Sequence, residues 1–332
     1  MSKLARDYIP ALRYGAKIRP QEILGGGFGP QVGNVWYVDG VNGVDTNTGN
    51  SWKEAFGSLY AAHNAATTDN FDVIVVASAG TGSGSGTNES AAVSGGLWTF
   101  SKSLITVIGA AAPSLVSPRS RVLWDTTGQS TTTALLTISG AGNSFYNIQL
   151  ATFVDNNILV TLSGDRNYFS GVHFAGIGDA TAGDDTAAIT LDINDGDENV
   201  FENCIIGLDT VARSTSNTEL KLSGESQRNI FRDCFFPTFV DAATHTFVNA
   251  SSSGAIDRWQ LFQRCLFHNA TNSTATAMTV AMDTHASAGG SIILHDSWLF
   301  GATDWADDFT VVEVAGGAQA TGSSAGLMVA AA

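Results

Sequence analysis

The sequence predicts an all-β fold, a parallel β-helix, because one motif recurs along most of the chain. Each of Cys204, Cys234 and Cys265 lies three residues after a phenylalanine, and the cysteines are 30 and 31 residues apart. Related motifs extend this column in steps of 24, 32, 30, 31 and 32 residues, and its members are Ile148, Val172, Cys204, Cys234, Cys265 and Ser297. A repeat of this length is typical of a solenoid, in which each unit stacks on its neighbours.

The repeat unit consists of strands rather than helices. Apolar residues alternate with polar ones in short runs such as 136–138 and 189–193, and a turn rich in Gly, Ser and Asp follows. Such alternation indicates half-buried strands. Strands, turn and loop fit one coil of a β-helix, in which equivalent residues stack about 4.8 Å apart. Since a free thiol behaves as a small buried hydrophobe, we interpret the three cysteines as a structural ladder inside the coil.

A second column is polar. Four asparagines begin the same strand after the same turn, namely Asn143, Asn167, Asn199 and Asn229. Asparagine side chains form hydrogen bonds with nearby turn backbone. We therefore predict that these residues occupy one corner of successive coils.

A short helix is predicted to cap the N-terminal end, because a solenoid end exposes unpaired backbone groups. It lies between two predicted strands, 35–38 and 72–77, and one of its faces carries Phe56, Leu59, Tyr60 and His63. Ser51 or Ser58 is the predicted N-cap. The Gly/Ser-rich stretch 79–96 is predicted to form a long loop.

The chain divides into an N-terminal arm (1–33), a β-helix body (34–314) and a Gly/Ala-rich tail (315–332). Residues 1–24 carry a net charge of +3 and the remainder carries −18, out of −15 for the whole chain. A basic arm on an acidic body indicates that the arm has its own partner. The predicted partner-binding residues are Arg6, Tyr8, Arg13, Tyr14, Lys17 and Arg19.

Composition limits the classes of partner. A net charge of −15 argues against nucleic acid, which requires a basic face, and disfavours anionic polysaccharides. No apolar run approaches the length of a membrane span, and the first residues lack a secretory signal. We therefore expect no nucleic acid, no membrane and assembly in a cytoplasm. The odd number of cysteines argues against disulfides.

Three acidic groups are candidates for catalysis: Asp184 with Asp185, the cluster Asp192, Asp195, Asp197 and Glu198, and Asp307 with Asp308. Two carboxylates a few ångströms apart can act as acid and base on a glycoside. Adjacent acids in Gly-rich segments are more often turn residues. Because the histidines also lack a Gly-His-Gly context, we predict no catalytic residue and no cofactor.

The sequence also contains candidates for metal and sugar sites. The spacing of Asp45, Asn47 and Gly49 is similar to a calcium loop, but the downstream glutamate is missing, which favours turn chemistry. The cysteines lack a Cys-x-x-Cys spacing, so no metal site is predicted. An aromatic sugar platform and packing between subunits both remain open for Trp124, Trp259, Trp298, Trp305 and Tyr168.

Residues 37–59, with the pattern Tyr-Val-Asp-x-x-Asn-Gly-x-Asp-x-Asn-x-Gly-x-Ser-Trp, resemble the start of right-handed parallel β-helix proteins of the pectate-lyase-like superfamily. Many of these are phage virion proteins, and residues 8–18 resemble the leading segment of phage structural proteins. The resemblance covers about residues 35–310. It implies a right-handed solenoid with an extended N-terminal arm, commonly assembled as a homotrimer.

The function implied by the resemblance is that of a phage virion structural protein. We expect a trimeric capsid decoration (cement) or spike protein, bound to other virion proteins through residues 1–33 and located in the virion. The alternative is a tailspike that binds a host-surface polysaccharide, or cleaves it as a polysaccharide lyase or glycoside hydrolase. The chain lacks the Gly-His-Gly and Arg-Ile-Lys motifs of polygalacturonases, which favours the structural role.

Overall fold

Three parallel β-sheets wind into a solenoid in the computed structural model. The model describes residues 33–77, 86–90, 92, 96–114, 116–125, 133–155, 158–185, 187–270, 276–308 and 310–315. The six predicted partner-binding residues of the arm and all of the tail beyond residue 315 lie outside this part of the chain. The all-β parallel β-helix predicted from the sequence is confirmed.

Each sheet is a stack of parallel strands, one per coil. Sheet A has ten: Val35–Val38, Val73–Val76, Thr106–Gly109, Ser144–Tyr146, Tyr168–Ser170, Val200–Glu202, Asn229–Arg232, Ile256–Gln263, Gly289–His295 and Val312–Ala315. Sheet B has eight: Thr87–Asn88, Arg121–Trp124, Gln149–Thr152, His173–Ala175, Ile205–Ile206, Phe235–Thr238, Leu266–Asn269 and Trp298–Phe300. Sheet C has eight: Trp98–Phe100, Leu136–Ile138, Ile158–Leu162, Ile189–Asn194, Thr218–Ser223, Thr246–Ala250, Met278–Thr284 and Ala302–Ala306.

A full coil runs from sheet C to sheet A to sheet B, and a loop of variable length then returns to sheet C. The core fills the space between the sheets. Its centre is a column of sheet A phenylalanines with ring centroids 5.0, 4.8, 4.7 and 4.6 Å apart, formed by Phe145, Phe169, Phe201, Phe231 and Phe262. Because every ring is buried and nearly parallel to the next, each coil covers the apolar surface of the one before it.

The predicted asparagine column is confirmed at the corner between sheets C and A. The side-chain oxygen of Asn143 accepts the backbone N–H of Ile105 at 2.8 Å. Asn167, Asn199 and Asn229 each accept the N–H of the asparagine one coil earlier, also at 2.8 Å. The column thus satisfies buried backbone donors that no strand partner reaches.

The corner between sheets A and B is a one-residue bend. The bend residue has φ between 49 and 61° in six coils, and it is Asn147, Gly171, Asn203, Asp233, Arg264 or Asp296. Asparagine, aspartate and glycine tolerate this left-handed region best. Arg264 is held there by two hydrogen bonds of 2.7 Å to the Asp233 carboxylate.

The residue after each bend belongs to the cysteine column. Cys204, Cys234 and Cys265 are buried and form no disulfide. Each thiol donates to a phenylalanine carbonyl one coil earlier, at 3.4 to 3.5 Å. Ser297 continues the pattern, since its hydroxyl donates to Phe262 O at 3.1 Å. Burial raises the pKa of the Cys234 and Cys265 thiols, so both are neutral hydrogen-bond donors.

Helix α1, Leu59–Ala65, lies at the N-terminal end of the solenoid as predicted. Ser58 is its N-cap, and the serine hydroxyl accepts the N–H of Ala61 at 3.0 Å. The buried carboxylate of Glu89 accepts the first two N–H groups of the helix, at 2.8 and 3.0 Å. Burial raises the pKa of Glu89 to about 8, although these two donors oppose the shift.

The other end of α1 is held by Lys102. Its ammonium donates to the carbonyls of His63 at 2.6 Å, Asn64 at 2.7 Å and Ala66. The His63 ring packs on Phe100, in the first strand of sheet C, with centroids 4.6 Å apart. The helix therefore covers the start of sheet C and docks through both of its ends.

Two predictions for this region are wrong in detail. Phe56 was placed on the helix face, but it precedes the helix and forms a β-bridge with Val38. The stretch 79–96 was predicted as a loop, but it contains Thr87–Asn88, the first strand of sheet B. A two-residue strand carries no alternation, so its sequence does not reveal it.

Candidate functional site

A groove runs along the outer face of sheet C, parallel to the solenoid axis. It crosses four neighbouring strands and has a volume of about 260 Å³. Its lining is Ala187, Ala188, Ile189, Ser216, Asn217, Thr218, Lys221, Thr244, Thr246, Asn249 and Asp283. Residues from the ends of the sheet B to sheet C loops form one wall, and the strands of sheet C form the floor. Mixed apolar and polar linings of this kind are typical of small-molecule sites.

Sheet C carries a row of polar side chains, here called the polar row: Asp192, Lys221, Asn249 and Asp283. The last three line the groove, and Asp192 is buried beside its floor. Strand register places each member opposite the next one. Asn249 Nδ2 donates to Asp283 Oδ2 at 2.9 Å, and the Ser223 hydroxyl donates to Asp192 Oδ1 at 2.8 Å. Outward-facing residues at one strand position stack in this way because side chains alternate between the two faces of a sheet.

The acids of the polar row are less acidic than free carboxyls. Burial raises the pKa of Asp192, although Lys221 and the Ser223 hydroxyl oppose the shift. The pKa of Asp283 is raised by burial and by the neighbouring carboxyl group of Asp307. A neighbouring carboxyl has this effect on Asp283 because a nearby like charge disfavours ionisation. The groove therefore offers a cation, amide groups and one carboxyl, Asp283, that holds a proton more readily than usual.

The acidic candidates identified from the sequence take structural roles, either within a turn or between neighbouring coils. Asp197 accepts the backbone N–H and the side-chain amide of Gln227, at 3.1 and 2.8 Å. Asp184 is the C-cap of a one-turn helix, α2, Ala180–Gly183. Asp308 accepts the N–H and hydroxyl of the residue two positions later, at 2.9 and 2.6 Å. None of these three carboxyls lines the groove.

The loop with calcium-like spacing is held by its own hydrogen bonds. Asp45 accepts the N–H of Gly57 at 2.9 Å and the hydroxyl of Ser58 at 2.8 Å. Asn47 donates to the carbonyl of Ala55 at 2.9 Å. Within the described residues, no group of three or more His, Cys, Asp or Glu side chains is arranged to hold a metal ion.

The aromatic side chains do not form one platform. Trp124 and Trp305 are buried in the core, so a sugar cannot stack on them. Trp259 lies on sheet A and Trp298 on sheet B, which places them on different faces of the solenoid. Trp298 is the most exposed of the four, at 64%. A single sugar platform that includes Trp124 and Trp305 is therefore excluded.

Sequence analysis missed Lys221, Asn249 and Asp283 as site residues. One signal was present: Lys221 is the last lysine of the chain, and it occupies the outward position of a Leu-Lys-Leu strand. The other signal, alignment in one row across four coils, depends on the strand register. Loop lengths of unequal size hide that register in the sequence.

Comparison with known proteins identifies the fold. No protein-family model and no curated protein sequence matches the chain. A pectin methylesterase mutant in complex with hexasaccharide IV has a TM-score of 0.54 at 12% identity, over 90% of this chain and 93% of that chain. The pectin methylesterase from Aspergillus niger has a TM-score of 0.51 at 15% identity, with coverages of 89% and 82%. The pectin methylesterase PemA from Erwinia chrysanthemi has a TM-score of 0.50 at 11% identity, over 86% of this chain and 81% of that chain.

These similar structures are right-handed parallel β-helix enzymes that act on polysaccharides. At such low sequence identity the likeness shows the fold and not the reaction. No helix in the described part of the chain is long and apolar enough to cross a membrane.

Proposed function

We propose that the protein binds a neutral polysaccharide along the sheet C groove. The observation that carries the proposal is the polar row, of which one cation, one amide and one carboxyl, Lys221, Asn249 and Asp283, line the groove on successive coils. Three strands at about 4.8 Å spacing give a row of groove-lining polar groups about 10 Å long. An extended chain with hydroxyl groups at regular intervals fits a row of alternating donors and acceptors.

Charge supports a neutral ligand. Lys221 is flanked by Asp192 on one side and by Asn249 and Asp283 on the other. The body around the groove carries a net charge of −18, which repels an anionic chain beyond the reach of a single lysine. Sugar hydroxyls both donate and accept, so they match this set of groups without a net charge of their own.

Binding without cleavage is the form of the proposal that the geometry supports. Asp192 and Asp283 are three strand spacings apart, about 14 Å. Retaining and inverting glycosidases place their two carboxyls about 5 to 9.5 Å apart. These two carboxyls are therefore too far apart to serve as the acid and base on one glycosidic bond. Asp307, whose carboxyl is hydrogen-bonded to that of Asp283, is closer to it than this range.

The proposal is tested by calorimetric titration with neutral and anionic oligosaccharides. We expect binding of a neutral oligosaccharide. The affinity should be at least tenfold lower in Lys221→Ala, since a hydrogen bond to a charged group contributes about 1.5–3 kcal/mol, and about two- to tenfold lower in Asn249→Ala, since a neutral hydrogen bond contributes about 0.5–1.5 kcal/mol. The control Thr279→Ala changes an exposed sheet C residue outside the groove and should bind normally. Absence of binding, or equal loss in the control, contradicts the proposal.

Cleavage is measured on the same samples. We expect no new reducing ends and no unsaturated products after long incubation. Turnover that Asp283→Asn abolishes would instead support the enzymatic form of the tailspike alternative, a polysaccharide lyase or glycoside hydrolase.

The biological setting that we propose is the virion of a phage, with the protein as a homotrimeric spike or capsid decoration. The support is the resemblance of residues 8–18 and 37–59 and the contrast between a basic arm and an acidic body. Arms in several linked copies raise avidity without new kinds of contact. Deleting residues 1–24 should leave a folded body that no longer joins the particle. Wild-type occupancy after this deletion would contradict anchoring through the arm.

A further inference from the structure

A buried ionic cluster stands behind the groove wall. We define the ionic cluster as Arg213, Glu219 and His245, whose side chains are fully buried. Arg213 Nη2 and His245 Nε2 lie 3.3 and 3.6 Å from the same oxygen, Glu219 Oε1. Thr190, in the preceding coil, donates its hydroxyl to Glu219 Oε2 at 2.6 Å. One carboxylate thereby connects side chains from three successive coils.

Arg213 directs its remaining donors to loop carbonyls. Nη1 donates to Ile177 O at 3.1 Å and to Val211 O at 2.7 Å, and Nη2 donates to Leu208 O at 3.1 Å. Ile177 has φ of +53°, a left-handed conformation that a β-branched residue rarely adopts. Such a conformation persists only where surrounding contacts enforce it. Arg213 therefore holds two loops, one of them in a strained conformation.

His245 connects the ionic cluster to the groove lining. Its Nδ1 is hydrogen-bonded to Asn217 Oδ1, and its Nε2 lies 3.2 Å from the Thr238 hydroxyl. Burial and the charge of Arg213 lower the pKa of His245 far below its usual value, so the ring is neutral. Asn217 lines the groove and donates to Gly183 O at 2.9 Å. The groove wall is thus hydrogen-bonded to the cluster behind it.

Stability alone does not account for this arrangement. A buried ion pair is about neutral or unfavourable relative to apolar side chains of the same volume, because desolvation offsets the attraction. Charged groups instead fix the orientation of the segments around them, because each donor must face one acceptor. The acceptors here are the carbonyls of the loops that form the wall.

We propose that the ionic cluster is a positioning device that holds the sheet B to sheet C loops in the shape that receives the polysaccharide. The identity of the ligand in this inference rests on the proposed function. The effect of the ionic cluster on the loops does not depend on it. Pre-organisation of this kind raises affinity because the loops need not be ordered on binding.

The test is Arg213→Lys, which keeps the charge but lacks the planar fork that reaches three carbonyls and a carboxylate. Arg232→Lys is the matched control, because Arg232 forms a half-exposed ion pair with Glu202 on sheet A, at 2.6 Å. In the Arg213→Lys variant, amide hydrogen exchange should become at least tenfold faster at Ser214, whose N–H donates to Gly183 O. Exchange at Asn199 should not change, and oligosaccharide affinity should fall at least tenfold.

Each outcome is decisive. Unchanged exchange at Ser214 overturns the inference, as does an equal effect of Arg232→Lys. Faster exchange with unchanged affinity also overturns it, because the loops would then not shape the site. If exchange is faster in the variant but the wild-type protein binds no oligosaccharide, the proposed function is contradicted. The effect of the ionic cluster on the loops is then still supported. If Arg213→Lys does not fold, Arg213→Met with Glu219→Met removes both charges, and the same readouts apply.

Discussion

The corners around sheet A and the loops between sheets B and C satisfy their buried groups in opposite ways. Around sheet A, each coil repeats its asparagine, phenylalanine and thiol positions, and each of these side chains contacts a residue of the same motif in a neighbouring coil. Between sheets B and C, loop lengths differ from coil to coil. There the buried backbone carbonyls are satisfied by Arg213, which has no counterpart in the neighbouring coils.

The difference teaches where a solenoid can acquire function. A repeated corner shares its hydrogen bonds among many equivalent residues, so loss of one is a local defect. An irregular loop depends on a few side chains that each bind several groups. Loss of one such side chain leaves a buried charge and several backbone carbonyls without a partner at the same time. The groove lies on the irregular side, where coils differ enough to form a wall.

The largest effect is expected for Arg213→Ala. It leaves the Glu219 carboxylate and three loop carbonyls buried without their partner, which should lower the free energy of unfolding by about 3–5 kcal/mol. Urea unfolding measures the loss. Arg166→Ala, which removes a 68% exposed partner of Glu198, should change the free energy of unfolding by less than about 1 kcal/mol. Similar losses in both variants would refute the contrast between the two sides.

A pH-dependent effect is expected for His173→Gln, in sheet B beside the corner between sheets A and B. Burial lowers the pKa of His173 to about 4, chiefly by desolvation, while a hydrogen bond to Gly207 O and Arg121 act in opposite directions. The unfolded chain binds this proton below about pH 6.5 and the folded chain only near pH 4. Wild-type stability should therefore fall across this window by up to about 3 kcal/mol relative to the glutamine variant.

Unfolding midpoints of both proteins between pH 4 and 8 measure this difference. It should be absent above about pH 7, where both states carry a neutral ring. The same substitution at the exposed His285 is the control. A difference between wild type and His173→Gln that stays constant over the whole range would refute the prediction.

A smaller effect is expected for Asn199→Ala, on the repeated side. It removes the acceptor of the buried Asn167 N–H, which should cost about 1–3 kcal/mol. The exposed Asn194→Ala is the control and should change little. A loss as large as that of Arg213→Ala would show that the asparagine column is not shared support but a single essential link.

The smallest effect is expected for Cys234→Ser. Its hydroxyl can donate to Phe201 O as the Ser297 hydroxyl donates to Phe262 O, so stability should change by about 1 kcal/mol or less. In the folded protein a thiol reagent should label no cysteine, and in urea it should label three in the wild type and two in the variant. Rapid labelling of the folded protein would show that the column is accessible.

Local sequence was sufficient wherever one coil repeats another. The spacing of Cys204, Cys234 and Cys265 and the asparagine column predicted the solenoid, its register and its buried corners, because each repeated residue has the same neighbours in every coil. The cap followed from a short helix with a serine before it.

Tertiary structure decided everything on the irregular side. The polar row unites Asp192 and Asp283, which are 91 positions apart, and only the strand pairing of four coils brings them into one line. Arg213, Glu219 and His245 are ordinary polar residues in the sequence, and burial under the loops is what makes them a cluster. The physical reason is that repeated contacts are encoded once per coil, whereas a site formed by unequal loops depends on how those loops fold back on the sheet.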